Sequence, residues 1–139
     1  MVEDGAVLSG MVVVHQFVRI GRLAMVSGLS AVNKDVPPYL LCAGRPAVIH
    51  GLNAVGLRRS GLSLEVREEI KRAYKLLYRE GRNVRHALAA IERECRSAEV
   101  RAMLEFVRGS KRGISAGIGS EELQETESVL PRKPSQRLD

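Results

Sequence analysis

Tryptophan is absent, and three tyrosines and two phenylalanines bring the aromatic content to only 4%. The base-stacking platforms that hold single-stranded nucleic acid therefore have few residues to be built from. Cysteine is scarce too: Cys42 and Cys95 lie far apart, with no C-x-x-C spacing and no Cys/His cluster. That argues against a zinc site and for two inert thiols in a reducing compartment. No metal or other cofactor is expected. No apolar run approaches the roughly 20 residues of a membrane span, and no basic stretch leads into an apolar one at the start of the chain. A cytoplasmic protein without membrane insertion is expected. The formal charge of +6 calls for a negative partner: nucleic acid, anionic lipid, a phosphorylated small molecule or an acidic protein.

What the chain does have is a period of six. Val2, Leu8, Val14, Ile20, Val26 and Val32 are aliphatic, and four positions after each comes a small or β-branched residue: Ala6, Val12, Val18, Ala24, Ser30 and Val36. This period fits neither the 3.6 of a helix nor the alternation of a long strand; it is the signature of a hexapeptide β-helix. Each hexad supplies a short strand and a corner, three hexads close a triangular coil, and residues eighteen apart stack, Val14 on Val32 and Leu8 on Val26. Residues 1–39 are assigned to these coils. At Asp35-Val36-Pro37-Pro38-Tyr39 two prolines remove backbone donors, so the ladder is expected to stop there. Repeat architectures need about three units and a polar cap, yet Met1 opens directly onto a repeat. The chain is expected to be the C-terminal part of something longer.

Residues 40–62 form a connecting segment, redirected by Gly44-Arg45-Pro46-Ala47. Within it, the spacing of Leu52, Val55 and Leu57 allows a helix of about two turns over His50 to Arg59. From 63 to 109 the period becomes helical. Ser63 caps a stripe of Val66, Ile70, Ala73, Tyr74 and Leu77; Asn83 caps Val84, Ala87, Leu88, Ile91 and Cys95; Ser97 caps Val100, Met103, Leu104 and Val107. Residues 110–139 turn to Gly, Ser, Glu, Gln and Pro and are expected to be disordered, though propensity allows a fourth short helix over Glu121 to Leu130.

Two places suggest chemistry. His15 and Gln16 follow inward Val14, so one of the pair points outward. His15 is either a plain surface histidine at a corner or an imidazole that meets a ligand near neutral pH. Asn53, Arg58 and Arg59 come after the turn, and an arginine fork suits phosphate or carboxylate, although an exposed Arg pair is often simply solvated. Between Arg58 and Arg112 there are fifteen Lys and Arg against eight Glu, a net +7 (15 minus 8). That excess marks solvated helix faces, an acidic protein partner or a nucleic acid. The lack of interleaved aromatics disfavours single-stranded nucleic acid.

Taken together, VVVHQFVRIGRLAMVSGLSAVNKDVPPY (12–39), AGRPAVIHGLNAVGLRRSG (43–61) and RAYKLLYREG (72–81) resemble the acyl-carrier-protein-dependent UDP-N-acetylglucosamine O-acyltransferase family, which opens lipid A biosynthesis. HQF, DVPPY and GLN followed by GLRR stand in the family's order and spacing over about residues 1–113. The resemblance implies a mixed β + α fold: a left-handed parallel β-helix, here its last coils, followed by a small C-terminal α-helical domain. It implies a homotrimer with active sites between subunits. A histidine general base there helps the 3-hydroxyl of UDP-N-acetylglucosamine attack a 3-hydroxyacyl thioester on acyl carrier protein. That histidine belongs to a coil upstream of Met1, so the resemblance puts no catalytic residue in this chain, and the isolated chain is expected to be inactive.

Residue by residue, the resemblance makes His15, Gln16, Asn53 and Arg59 substrate-binding. Gly28 matches a position that limits acyl length, where glycine leaves room for a long 3-hydroxyacyl chain. Arg58, Lys71, Arg72 and Lys75 are assigned to docking of acidic acyl carrier protein, which high salt should weaken. Val55 departs from the pattern, since many relatives carry a glutamate there. The alternative expectation is a non-catalytic trimerising module that binds an acidic protein; nucleic acid is not an expected partner.

Overall fold

The structure, a computed structural model, describes residues 1–118. The helix considered over 121–130 lies outside the described residues.

The hexads stack in register. Strands β1 (Val7–Leu8) and β2 (Val13–Val14) pair in parallel with β3 (Met25–Val26) and β4 (Ala31–Val32), placing Leu8 beside Val26 and Val14 beside Val32. A bridge from Val2 to Ile20 marks the third face. Ile20, Val26 and Val32 are buried, as are Val18, Ala24, Ser30 and Val36, so both template positions point inward. In the first coil the equivalent Val2 and Leu8 remain 50% and 40% exposed.

The corners also follow the period of six. Gly5, Met11, Phe17, Leu23 and Leu29 all lie in the left-handed region, with φ of +74°, +61°, +69°, +57° and +63°. Each costs a side-chain-bearing residue on the order of 1 kcal/mol, which the stacked ladders on both sides offset. The corner geometry throws these side chains outward, which is why Met11 and Phe17 are 77% and 81% exposed despite being apolar.

The prolines do not end the ladder, contrary to expectation. Strand β5 (Leu40–Gly44) continues the face of β3, with Met25 beside Leu41 and Val26 beside Cys42, and Ile20 bridges Val36. The offset here is 16 residues (41 minus 25) instead of 18 (25 minus 7). The two residues are lost at the corner between Val32, which still pairs at an offset of 18, and Val36, which already bridges Ile20 at 16, so the ladder is shortened ahead of Pro37 and Pro38 and runs on past them. Their passage requires Gly21, because a Cβ there would overlap the backbone of Pro38. The coil is closed instead by β6 (Ala47–Leu52), which folds back antiparallel on β5 after the Gly44-Arg45-Pro46 turn and completes the sheet order β1-β3-β5-β6. Residues 40–52 are therefore part of the β-layer, and the helix allowed over His50 to Arg59 shrinks to α1 (Ala54–Arg59). Burial alternates along β6, with Ala47 and Ile49 inward and Val48 and His50 less buried, but the run Ala-Val-Ile does not alternate in polarity and so hid the strand.

Three helices complete the helical domain: α2 (Leu64–Tyr78), α3 (Val84–Glu94) and α4 (Ala98–Arg108). The side chains of Ser63, Asn83 and Ser97 each accept a hydrogen bond from the first turn, at Val66, His86 and Val100, satisfying amides that a helix start leaves free. Their buried stripes join the prism in one apolar core. At the junction, the Glu69 carboxylate of α2 accepts from the backbone N–H groups of Arg96 (3.1 Å) and Ser97 (2.9 Å) at the start of α4. Among the described residues no helix is long and apolar enough to cross a membrane.

Disorder was expected from residue 110, but residues 110–118 return to the prism. Ile114 bridges Asp35 and Gly117 bridges Ile49, adding a short parallel edge. Asp35, 1% exposed, accepts from the Arg19 N–H (2.8 Å) and from the Ser110 hydroxyl (2.7 Å), while the Tyr78 hydroxyl donates to the Ser115 carbonyl (2.7 Å). Composition is blind to this anchoring, because backbone edges and one buried carboxylate carry most of it, with Ile114 alone adding an apolar contact to the core from this segment.

Candidate functional site

Where β6 ends, Asn53 fastens the chain to the prism. Its backbone N–H donates to the Tyr39 carbonyl (2.8 Å), its side-chain NH2 donates to the Leu23 carbonyl (2.9 Å), and its side-chain oxygen accepts from the Gly56 N–H (3.1 Å). The residue is 7% exposed and serves as N-cap of α1. Gly56 belongs to the same device, since a Cβ there would overlap the Asn53 amide. This fixes the direction of α1, whose last turn carries exposed Arg58 and Arg59.

Between α1 and the prism lies a cleft of about 660 Å³. Val7, Leu23, Met25, Leu41 and Leu52 make one wall, while Asn53, Val55, Gly56, Arg59 and Ser60 face it. An apolar wall beside a guanidinium can take a hydrocarbon chain at one end and a phosphate or carboxylate at the other. Val55 is 45% exposed here and offers no hydrogen bond where a carboxylate would accept one.

The structure brings Asn53 and Arg59 together but places His15 and Gln16 elsewhere. Both are exposed at the corner after β2; the His15 N–H donates to the Val32 carbonyl (2.8 Å), and the Gln16 carbonyl accepts from the Arg112 guanidinium (2.8 Å). Beside this corner is a second cleft of about 650 Å³, lined by Phe17, Arg19, Asp35, Gly109, Lys111 and Arg112. The Arg19 guanidinium stacks 4.0 Å above the Phe106 ring and donates to the Phe106 carbonyl (3.2 Å). Sequence reasoning counted Lys111 and Arg112 only in the basic excess; their place beside Gln16 depends on the return of residues 110–118. Gly28 lines neither cleft. It is exposed, and a Cβ there would come within 3.2 Å of the Gly10 carbonyl.

Of the residues expected to dock an acidic protein, Arg58, Lys71 and Lys75 are exposed. Arg72 is engaged within the chain instead, pairing with Glu80 (2.8 Å) and Glu94 (2.9 Å) and so tying α2 to α3. Lys75 shares a third cleft, about 470 Å³, with His50, Gly51, Tyr74, Arg79 and Glu80. The cysteines are free and buried, and burial pushes the Cys42 thiol up to about 12, which leaves it protonated and unreactive. Among the described residues no group of three His, Cys, Asp or Glu is placed to hold a metal ion.

Comparison with known proteins adds a specific likeness. A family described as Udp N-acetylglucosamine O-acyltransferase, domain 2, matches residues 35–115. The acyl-[acyl-carrier-protein]–UDP-N-acetylglucosamine O-acyltransferase of Thiobacillus denitrificans is 45% identical over 114 residues, covering 81% of this chain and 44% of that protein. Its counterpart in an Anaeromyxobacter strain is 46% identical over the same length. The chain therefore spans under half the length of these curated relatives. Among solved structures, a UDP-N-acetylglucosamine acyltransferase from Bacteroides fragilis matches with a TM-score of 0.79 at 39% identity, covering 81% of this chain and 45% of that one. The Francisella novicida enzyme matches with 0.79 at 31% identity, covering 95% and 49%. With the three parallel ladders, these likenesses make the fold a left-handed parallel β-helix followed by a small α-helical domain.

Proposed function

The chain belongs to the UDP-N-acetylglucosamine O-acyltransferase family, and from that premise we propose that it forms the C-terminal part of an enzyme that transfers a 3-hydroxyacyl chain from acyl carrier protein to the 3-hydroxyl of UDP-N-acetylglucosamine. This is the entry step of lipid A biosynthesis, carried out in the cytoplasm by a homotrimer. The observation that carries the reading is the α1 cleft, where the Arg59 guanidinium stands opposite an apolar wall. A diphosphate and an acyl chain need that pairing of charge with hydrocarbon surface.

Within this reading Arg59 meets the diphosphate as a charged, bidentate donor. Asn53 is a positioning residue first: its amide already bonds Leu23 and Gly56, and it presents Arg59 by setting the axis of α1. His15 and Gln16 sit at a different corner, so in a trimer they are supplied to a substrate cleft across a subunit boundary rather than beside Asn53 of the same chain. Exposed Gly28 leaves room for a long acyl chain, and exposed Arg58, Lys71 and Lys75 receive the acidic carrier protein. No general base is assigned among these residues.

The test is calorimetric titration of the assembled protein with UDP-N-acetylglucosamine, comparing the wild type with Arg59→Ala. Loss of charge-assisted hydrogen bonds of about 1.5–3 kcal/mol predicts affinity lower by roughly ten- to hundredfold. Equal affinity for the two proteins would remove Arg59 from the substrate site. Tight binding of acidic carrier protein with no UDP-sugar binding at all would favour the non-catalytic module, which the exposed cations of α2 also suit.

A further inference from the structure

The third cleft, between β6 and the end of α2, is cationic in a way the acyl-transfer reading does not use in full. Lys75 and Arg79 line it with His50 and Tyr74. Glu80 also lines it, but its carboxylate is held by Arg72 (2.8 Å) and Arg82 (3.5 Å). Among the described residues neither Lys75 nor Arg79 is paired with a carboxylate.

The described chain ends beside this cleft. The Ala116 carbonyl accepts from the Ile49 N–H (2.8 Å), Gly117 bridges Ile49, and Gly117 lies so near Tyr78 that a Cβ there would approach its ring to 2.8 Å. Ile49 precedes His50, and the Tyr78 ring sits 5.8 Å from that of Tyr74, so the described chain ends against two residues that each adjoin a member of the cleft. The sequence beyond it is acidic: Glu121, Glu122, Glu125 and Glu127 fall within seven residues that contain no base. From residue 118 the first of these is three residues away, a reach of up to about 10 Å.

We propose that the acidic stretch 121–127 of this chain docks in the cleft of His50, Tyr74, Lys75 and Arg79. Opposite charge supplies the attraction, and tethering supplies the concentration: a short linker holds the carboxylates at roughly millimolar effective concentration, so pairs too weak to hold a free peptide suffice. An acidic protein received at Lys75 must then displace the chain's own carboxylates from it.

Zero-length carbodiimide coupling of the full chain, read by peptide mass spectrometry, tests this directly. The expected result is a bond between Lys75 and Glu121 or Glu122 that outweighs coupling of 121–127 to Lys34, Lys71 or Lys111. It falls severalfold at high salt and is lost in a variant carrying E121Q, E122Q, E125Q and E127Q, which keeps Lys75 and the fold intact. Mixing isotopically heavy and light chains separates the occupants. Heavy–light bonds making up about half of the Lys75 coupling in a co-assembled equal mixture make the occupant a second copy and overturn the proposal, whereas docking within one chain yields none. Coupling of Lys75 to added acyl carrier protein but never to 121–127 overturns it in favour of an external partner, and even coupling across all lysines overturns it outright.

Discussion

Asn53 commits both ends of its side-chain amide to the fold, one to the Leu23 carbonyl of a prism corner and one to the Gly56 N–H of α1. On the proposed reading, Asn53 therefore acts on the substrate largely through where it puts Arg59. Gly56→Ala addresses that effect, because the three atoms nearest the new Cβ all belong to the Asn53 amide, which must shift. Overpacking of this kind costs about 1–3 kcal/mol, so a lower melting temperature together with weaker UDP-N-acetylglucosamine binding is expected; thermal melts and titration on the same variant check both, and unchanged binding would dissociate the cap from the substrate site. At Gly28 the prediction concerns length. A Gly28→Met side chain starts from a Cβ about 3.2 Å from the Gly10 carbonyl and projects from an exposed position, so on the proposed reading the acyl chains found on the product of the assembled enzyme should shorten. An unchanged product profile would take Gly28 out of the acyl site.

Between elements, the most informative contact is that of Glu69 with the start of α4. Partial burial of the carboxylate tends to raise its pKa, but the Ser97 and Arg96 donors outweigh this and hold it below the usual carboxylate value. Because the folded-state pKa lies below the unfolded one, the contribution to stability is complete above the unfolded value of about 4.3. It disappears as pH falls through the lower, folded-state value. Glu69→Gln should thus cost about 1–3 kcal/mol near pH 7, and the gap between the two urea midpoints should narrow as the pH is taken below the unfolded value of about 4.3. A gap that persists in acid would assign the effect to shape rather than charge. The contact was not legible beforehand because Glu69 and Ser97 are 28 residues apart, whereas the Ser97 cap is local and could be read from spacing alone.

Over the whole molecule, ion pairs inside the helical domain leave the net +7 of residues 58–112 unchanged and decide which cations carry it. Arg72, Arg82 and Arg108 bond Glu80, Glu94 and Glu92, and the surface offered to a partner is carried by the remaining cations, Arg58 and Lys71 among them. Docking of an acidic carrier protein through exposed charges must then weaken as the Debye length shrinks from about 10 Å at 0.1 M to about 3 Å at 1 M salt. Arg58→Glu combined with Lys71→Glu should lower carrier-protein affinity and flatten its salt dependence, as measured by fluorescence anisotropy with labelled carrier protein. Equal affinity at low and high salt would exclude this surface as the dock.

The period of six, the inward ladder and the three capped helices were determined by the sequence itself, because each depends on residues within a few positions of one another or on a strict repeat. The resemblance carried by HQF, DVPPY and GLN with GLRR pointed to the family for the same reason. Only the tertiary structure decided what depends on distant neighbours. The corner between Val32 and Val36 shortens a coil whose ladder then runs past Pro37 and Pro38 to the Met25–Leu41 pair, and residues 110–118 bind to a backbone edge and to Asp35. Asn53 meets Arg59 in one cleft, while His15 and Gln16, also expected to bind substrate, stand beside another. A hydrophobic pattern records which side chains leave water, but an unfilled backbone edge, a corner at positive φ or a carboxylate reaching another helix leaves no periodic trace. Such features exist only once the chain has closed on itself.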